Sequence, residues 1–241
     1  VEAATARGIL VANAPGANKN AVAELIVGLM LVTARSIDAH IDLLKAGRWE
    51  RSAGVEVSGK TVGLLGLGNI GKRVVELLSG FGIRPIAYDP QPDAAWAAAH
   101  GVGIAGKIEE VFAEADFLVL TLPCTEVTRN IVDRSRLALM KPTAVFVNTA
   151  RGPLVDHQAL ADALKSGKLA FAGIDVFDKE PPEETYPLIG LENATLTPHL
   201  AWYSEDAAWD IRKNIIEDCI RCRDGREPRN RVNKCGCGCK K

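Results

Sequence analysis

The chain has 241 residues, 47% of them hydrophobic and 24% charged, with a formal net charge of −1. This length can bury a substantial core in one large or two small domains, and the near-neutral balance gives no general reason to expect nucleic acid or an anionic membrane as partner. The longest apolar run, LIVGLMLV at residues 25–32, is flanked by Glu24 and Arg35 and falls well short of the ~20 residues of a bilayer span, so no membrane segment is expected.

The opening VEAATARG lacks the charged stretch and apolar core of a secretory leader. After the turn NAPGAN, residues 20–46 read as one long helix that ends before the glycine of KAGRW and buries its apolar run against the core or a second subunit. From there strand and helix alternate. KTVGLLG predicts a buried parallel strand and IGKRVVELLS an amphipathic helix. RPIAYD and AAWAAAH repeat the pattern, KIEEVFAEA leads into FLVLTL, and TAVFVNT precedes DHQALADALKSG. AFAGIDVF and ATLTP are further short strands before a closing helix near residues 203–222. The alternation predicts an α/β fold, an open doubly wound parallel sheet with helices on both faces. EPPEETYP reads as a proline-rich loop within it.

At the first strand-to-helix junction, LLGLGNIGKR carries Gly66, Gly68 and Gly71 in the spacing G-x-G-x-x-G, with Asn69 and Ile70 at the helix start. Alone, that spacing is a weak signal. Its context gives it meaning, because a dinucleotide needs a tight bend, a bare main chain against its pyrophosphate and a close helix–strand contact, one for each glycine. The helix N-terminus adds unpaired N–H groups and a positive dipole end. Asp89 closes the next strand 18 residues beyond Gly71, where an acid holds ribose hydroxyls. A carboxylate there repels a 2′-phosphate, and Tyr88 and Pro90 supply no arginine to replace it, so NAD is expected over NADP.

Ligands of such sheets lie beyond the carboxyl ends of the strands. Asp89, Pro123, Thr149, Ala150, Arg151, Asp175 and His199 all fall at or just past strand ends, with Thr128 in the loop after Pro123. A bound nicotinamide would supply hydride, leaving the protein to supply a proton and hold the substrate. Of the four histidines, His40, His100, His157 and His199, only His199 follows an apolar strand and a proline at that edge. A carboxylate beside it would support its protonated form, and FDKEPPEE offers Glu180, Glu183 and Glu184. Arg151 is suited to grip a carboxylate in a bidentate pair. The residues by themselves also allow His199 to be a core histidine and Arg151 the partner of a helix C-terminus.

The six cysteines cluster late, with only Cys124 in the first 218 residues. Disulfide stapling is not expected, which favours a reducing, cytoplasmic setting. Cys219, Cys222 and the tail Cys235, Cys237 and Cys239 lack zinc-ribbon spacing and have no histidine nearby, so no metal is expected. From Arg221 on, eight Lys or Arg stand against Asp224 and Glu227. Without interleaved aromatics that run reads as a solvated tail and not a nucleic-acid arm.

GLLGLGNIGKRV, FVNTARGPLVD, GIDVFDKEPP and TLTPHLAWYSEDA resemble the four signature segments of the D-isomer-specific 2-hydroxyacid dehydrogenases, and VANAPGANKNAVAEL resembles their interdomain entry helix. The resemblance covers nearly all of residues 1–233 and implies a Rossmann-type coenzyme domain. It implies that Arg151 binds the substrate carboxylate and carbonyl, that His199 is the acid/base, and that Glu180 hydrogen-bonds to His199 and supports its protonated form. Asp175 would lie near the nicotinamide carboxamide, with Thr149 to Arg151 beside the ring. The implied reaction is reversible reduction of 2-oxo acids by NADH, by a homodimer whose contact is the helix at residues 20–46. HLAWYSE is also similar to the corepressor branch of the family, which leaves an NAD(H)-sensing binding module as the alternative.

The expected organisation is a remnant of a substrate domain and crossover at residues 1–16, an NAD-binding domain at 17–200, a closing helix at 201–226 and a basic Cys/Gly tail at 227–241. Family members carry a substrate domain before the segment resembling VEAATARG, so this chain is expected to bind NAD but to turn over poorly by itself.

Overall fold

A computed structural model describes residues 1–234, so Cys235, Cys237 and Cys239 and the expectation that no metal binds there lie outside the described residues. Chain contacts divide the protein into two units, Val22–Ala201 and a second that joins Val1–Ala21 to the residues from Trp202 on. Residues 1–16 and the described residues from Trp202 on thus fall in one unit.

The larger unit is built on seven parallel strands: β1 (Thr61–Leu65), β2 (Arg84–Tyr88), β3 (Gly103–Ile104), β4 (Phe117–Leu120), β5 (Val145–Asn148), β6 (Phe171–Ile174) and β7 (Ala194–Leu196). Their order is β3-β2-β1-β4-β5-β6-β7, so the winding reverses between β1 and β4. The central strands are buried at every position because both faces are covered. Val62, Leu64, Phe117, Val119, Val145 and Val147 face one core, with α2 (Lys19–Ala34), α4 (Asn69–Leu78) and α5 (Ala94–Ala99). The alternate residues Leu65, Leu118, Leu120 and Phe146 face the other, with α6 (Ile108–Glu114), α7 (Arg134–Leu137) and α8 (His157–Lys165). The doubly wound α/β sheet expected from the alternation is therefore present.

Three features depart from the sequence reading. The helix expected over residues 20–46 is two, α2 and α3 (Ile37–Lys45), bent by 62°. Ser36 between them takes a left-handed backbone, φ 45°, and the Ala34 carbonyl accepts from the Val55 amide at 2.8 Å. A distant segment thus caps the first helix, which no local pattern reveals. No single helix among the described residues is long and apolar enough to cross a membrane. The edge strand β3 was not expected, since two exposed residues have no periodicity to read; it forms by pairing with Ile86 and Ala87. The four-residue α7 is likewise too short to announce itself, although Asp133 caps it by accepting from the Arg136 amide.

In the smaller unit, α1 (Glu2–Ala6) and α9 (Glu205–Arg223) accompany an antiparallel bridge between Ala12 and Arg231. Buried Asn233 ties this unit together, accepting from the Val11 amide and donating to Thr5 Oγ1 and the Ile9 carbonyl. The basic run is internally paired: Arg229 with Glu217 and Asp218, and Arg223 and Arg226 with Asp224.

Candidate active site

The reversal between β1 and β4 opens a crevice at their carboxyl ends. Gly66, φ 96°, turns the chain out of β1, and its carbonyl accepts from Thr121 Oγ1 at 2.6 Å. A Cβ on Gly71 would lie 2.6 Å from the Gly66 carbonyl oxygen, so only glycine lets α4 start this close to the strand. Gly68 is different: nothing lies within 4 Å of its would-be Cβ, and no side chain caps the first turn of α4. That bare, outward-facing amide cradle, with Asn69 exposed and Ile70 half-buried beside it, suits a pyrophosphate.

Asp89 stands opposite. Its carboxylate accepts from the Leu67 amide (Oδ2, 2.8 Å) and the Gln91 amide (Oδ1, 2.8 Å), which fixes it against the glycine turn. A carboxylate has about four lone-pair sites, so acceptor capacity remains for two ribose hydroxyls. Further along, Thr128 Oγ1 donates to the Pro123 carbonyl at 2.7 Å and folds the loop after β4 onto itself. Thr149 is buried and its Oγ1 has no hydrogen-bond partner among the described residues. An orphaned hydroxyl at this edge is the kind of group a bound cofactor satisfies.

The catalytic candidates assemble around Asp175. This carboxylate is wholly buried, and it accepts from Thr197 Oγ1 (2.6 Å), the Leu200 amide (2.8 Å) and the Ala201 amide (2.9 Å). Its carbonyl also accepts from the His199 amide at 2.9 Å. Together these bonds hold His199 in a left-handed backbone, φ 54°, a costly conformation for a residue with a Cβ. The Asp175 side chain, expected near the nicotinamide carboxamide, is bonded to the turn that carries His199.

His199 Nδ1 lies 2.7 Å from Glu180 Oε2, and Glu180 Oε1 accepts from the Phe177 amide at 3.1 Å. Of the three acids offered by the sequence, the fold brings Glu180 to the histidine; Glu183 pairs with Lys179. A carboxylate only accepts, so Nδ1 carries a proton and Nε2 is left to face a ligand. Partial burial works against ionisation of Glu180. The bond from His199, the Phe177 amide and the nearby His199 and Arg151 charges outweigh it, and the acid is held below its usual range. Arg151 is exposed at the end of β5, anchored by a 2.6 Å bond to the Ala150 carbonyl. The turn that presents it is folded by Asn148, which accepts from the Ala150 amide and donates to the Arg151 carbonyl. Asn148 was missed in the sequence, although an Asx residue ending an apolar strand was the available signal. Among the described residues no group of three His, Cys, Asp or Glu side chains is placed to hold a metal.

Residues 27–201 match the D-isomer specific 2-hydroxyacid dehydrogenase family, NAD binding domain. The chain belongs to that family. It is 43% identical over 235 residues to D-3-phosphoglycerate dehydrogenase of Methanocaldococcus jannaschii, covering 97% of this chain and 45% of the relative. It is 41% identical over 225 residues to hydroxypyruvate reductase of Thermotoga maritima, covering 92% of this chain and 72% of the relative. The holo crystal structure of Rhodotorula graminis D-mandelate dehydrogenase superposes with a TM-score of 0.92 at 28% identity, covering 98% and 72% of the two chains. The chain spans less than half the length of the phosphoglycerate dehydrogenase it matches. The Rossmann-type fold and the NAD-binding character of the larger unit follow from this membership. None of these relatives is a corepressor.

Proposed function

We propose that this chain carries the cofactor-binding and proton-transfer parts of an NAD-dependent D-2-hydroxyacid dehydrogenase, which reversibly reduces small 2-oxo acids. The observation that carries the reading is the His199–Glu180 pair, 2.7 Å apart at the carboxyl edge of the sheet, with Arg151 close enough for its charge to act on Glu180. When bound, NADH supplies the hydride. Arg151 grips the substrate carboxylate and polarises the adjacent carbonyl. His199 gives its Nε2 proton to the carbonyl oxygen, and Glu180 offsets the positive charge that the ring carries beforehand. In the reverse direction the same nitrogen takes the proton back. Gly68 and the first turn of α4 receive the pyrophosphate, Asp89 the ribose hydroxyls, and Thr149 lies beside the nicotinamide.

The test is a panel of 2-oxo acids assayed with NADH and with NADPH, on this chain and on a longer polypeptide that joins it to the substrate domain of a full-length relative. Oxidation of NADH in preference to NADPH by at least one 2-oxo acid is expected, and failure of every acid with the longer polypeptide overturns the reading. The corepressor-like alternative is favoured by no particular observation. A cytoplasmic enzyme is in keeping with the single cysteine in the first 218 residues. A homodimer formed through α3 accounts for its exposed stripe of Ile37, Ile41 and Leu44, with Trp49 79% exposed just beyond. Sedimentation is expected to give twice the chain mass, and replacing Ile41 and Leu44 by Lys is expected to give monomers.

A further inference from the structure

His157 and Tyr186 lie outside the chemistry assigned above, yet they form a buried polar contact beneath it. His157 opens α8 and is 5% exposed, with Nε2 2.9 Å from the Gly152 carbonyl. A carbonyl only accepts, so Nε2 carries the proton, Nδ1 is the acceptor, and the Tyr186 hydroxyl donates to it. Burial, assisted by the Asp178 charge, pushes the Tyr186 phenol far above its usual range, so that donor is permanent near neutral pH. The Tyr186 ring also stands edge-on to Phe177, at 5.2 Å between centroids and 74°.

Gly152 follows Arg151 directly, and Phe177 gives its amide to Glu180. At Gly152 the two segments touch backbone to backbone: a Cβ there would lie 2.1 Å from the Phe177 carbonyl carbon and 2.5 Å from the Asp178 nitrogen. That contact pins the start of the loop that carries Glu180. Its far end is Tyr186. We propose that His157 and Tyr186 are positioning residues, a two-bond strap from the Gly152 carbonyl to the end of the 178–185 loop that fixes Glu180 relative to Arg151 and His199. With both ends held on one rigid segment, the loop keeps Glu180 in register with His199; with one end released, loop entropy acts on the carboxylate. The inference rests on the dehydrogenase reading for its catalytic meaning and on geometry alone for the strap.

The experiment compares the unmodified chain with Tyr186→Phe, which keeps the ring on Phe177 but loses the donor. It adds His157→Gln, which can still donate to Gly152 but has no acceptor at the Nδ1 position, and the double variant. The Glu180 carboxyl is followed by carbon-13 NMR through a pH titration, NADH affinity by calorimetry, and folding by thermal melts. In both single variants the Glu180 midpoint is expected to move up toward the ordinary glutamate value, with NADH affinity within about twofold of the original. The double variant is expected to go no further than either single, because each breaks the same strap. In a preparation that turns over, kcat is expected to fall about 10- to 100-fold with the KM for NADH unchanged. A Glu180 titration in Tyr186→Phe identical to that of the unmodified chain overturns the inference, as does full additivity in the double variant. If His157→Gln does not fold, Tyr186→Phe decides. A shifted Glu180 in a protein inert to every 2-oxo acid sinks the functional reading and leaves the strap standing.

Discussion

The glycine turn between β1 and α4 and the corner around His199 serve one crevice, but they are made of different material. At the turn the main chain does the work: Gly66, Gly68 and Gly71 act through what they lack, and one acid, Asp89, comes from the next strand. At the corner the work falls to side chains from three segments. Arg151 stands at the end of β5, Glu180 comes from the loop after β6, and His199 is held in a left-handed turn by Asp175. A turn of bare amides suits a ligand whose charge is fixed. Moving a proton calls for groups whose charge can change, each set by its neighbours.

This contrast makes unequal demands on substitution. The largest effect is expected at the corner: His199→Gln should lower 2-oxo acid reduction by about 10²- to 10⁴-fold while NADH binding persists, as calorimetry and steady-state kinetics would register. An unchanged rate would remove His199 from proton transfer and collapse the distinction. The two glycines of the turn sharpen it. Gly71→Ala drives a Cβ against the Gly66 carbonyl and should cost on the order of 1–3 kcal/mol of stability, read in a urea melt. Gly68→Ala meets nothing in the protein, so its melt should match the original while NADH affinity drops. Equal melts for the two variants would deny Gly71 its packing role.

The smallest effect concerns pH. Glu180 is held below its ordinary value of 4.5 in the folded chain, so its pairing stabilises the protein above that pH and is lost as pH falls through the lowered value. With both side chains of the pair more than a third exposed, the difference in stability between the unmodified chain and Glu180→Gln should be small and should shrink as pH falls below 4.5. A difference that grows on acidification would contradict the assigned sign.

Much of the crevice could be read before any fold was known, and the part that could not has a common cause. The glycine spacing, the apolar strands and Asp89 are local signals, since a turn, a pleat and a strand end are each written in a few consecutive residues. Arg151 and His199 could be placed at strand ends by the same logic, but the choice of Glu180 over Glu183 and Glu184 came from the family resemblance and not from any local signal. It depends on how a loop folds back onto the Phe177 amide and on which carboxylate then meets an imidazole 19 residues away. The break between α2 and α3 has the same origin, because the Ala34 carbonyl is claimed by Val55 from beyond the helix.

By itself the sequence determined the alternating α/β order, the glycine turn of the NAD-binding domain and the residues that fall at the strand ends, because those follow from periodicity and from backbone conformations that only glycine adopts cheaply. Only the tertiary structure decided how the Glu180 carboxylate reaches His199, that Asp175 holds the histidine turn, and that His157 and Tyr186 meet beneath the site. Each of those facts is a hydrogen bond between residues far apart in the chain, and such bonds exist only once packing has brought both partners within reach of each other.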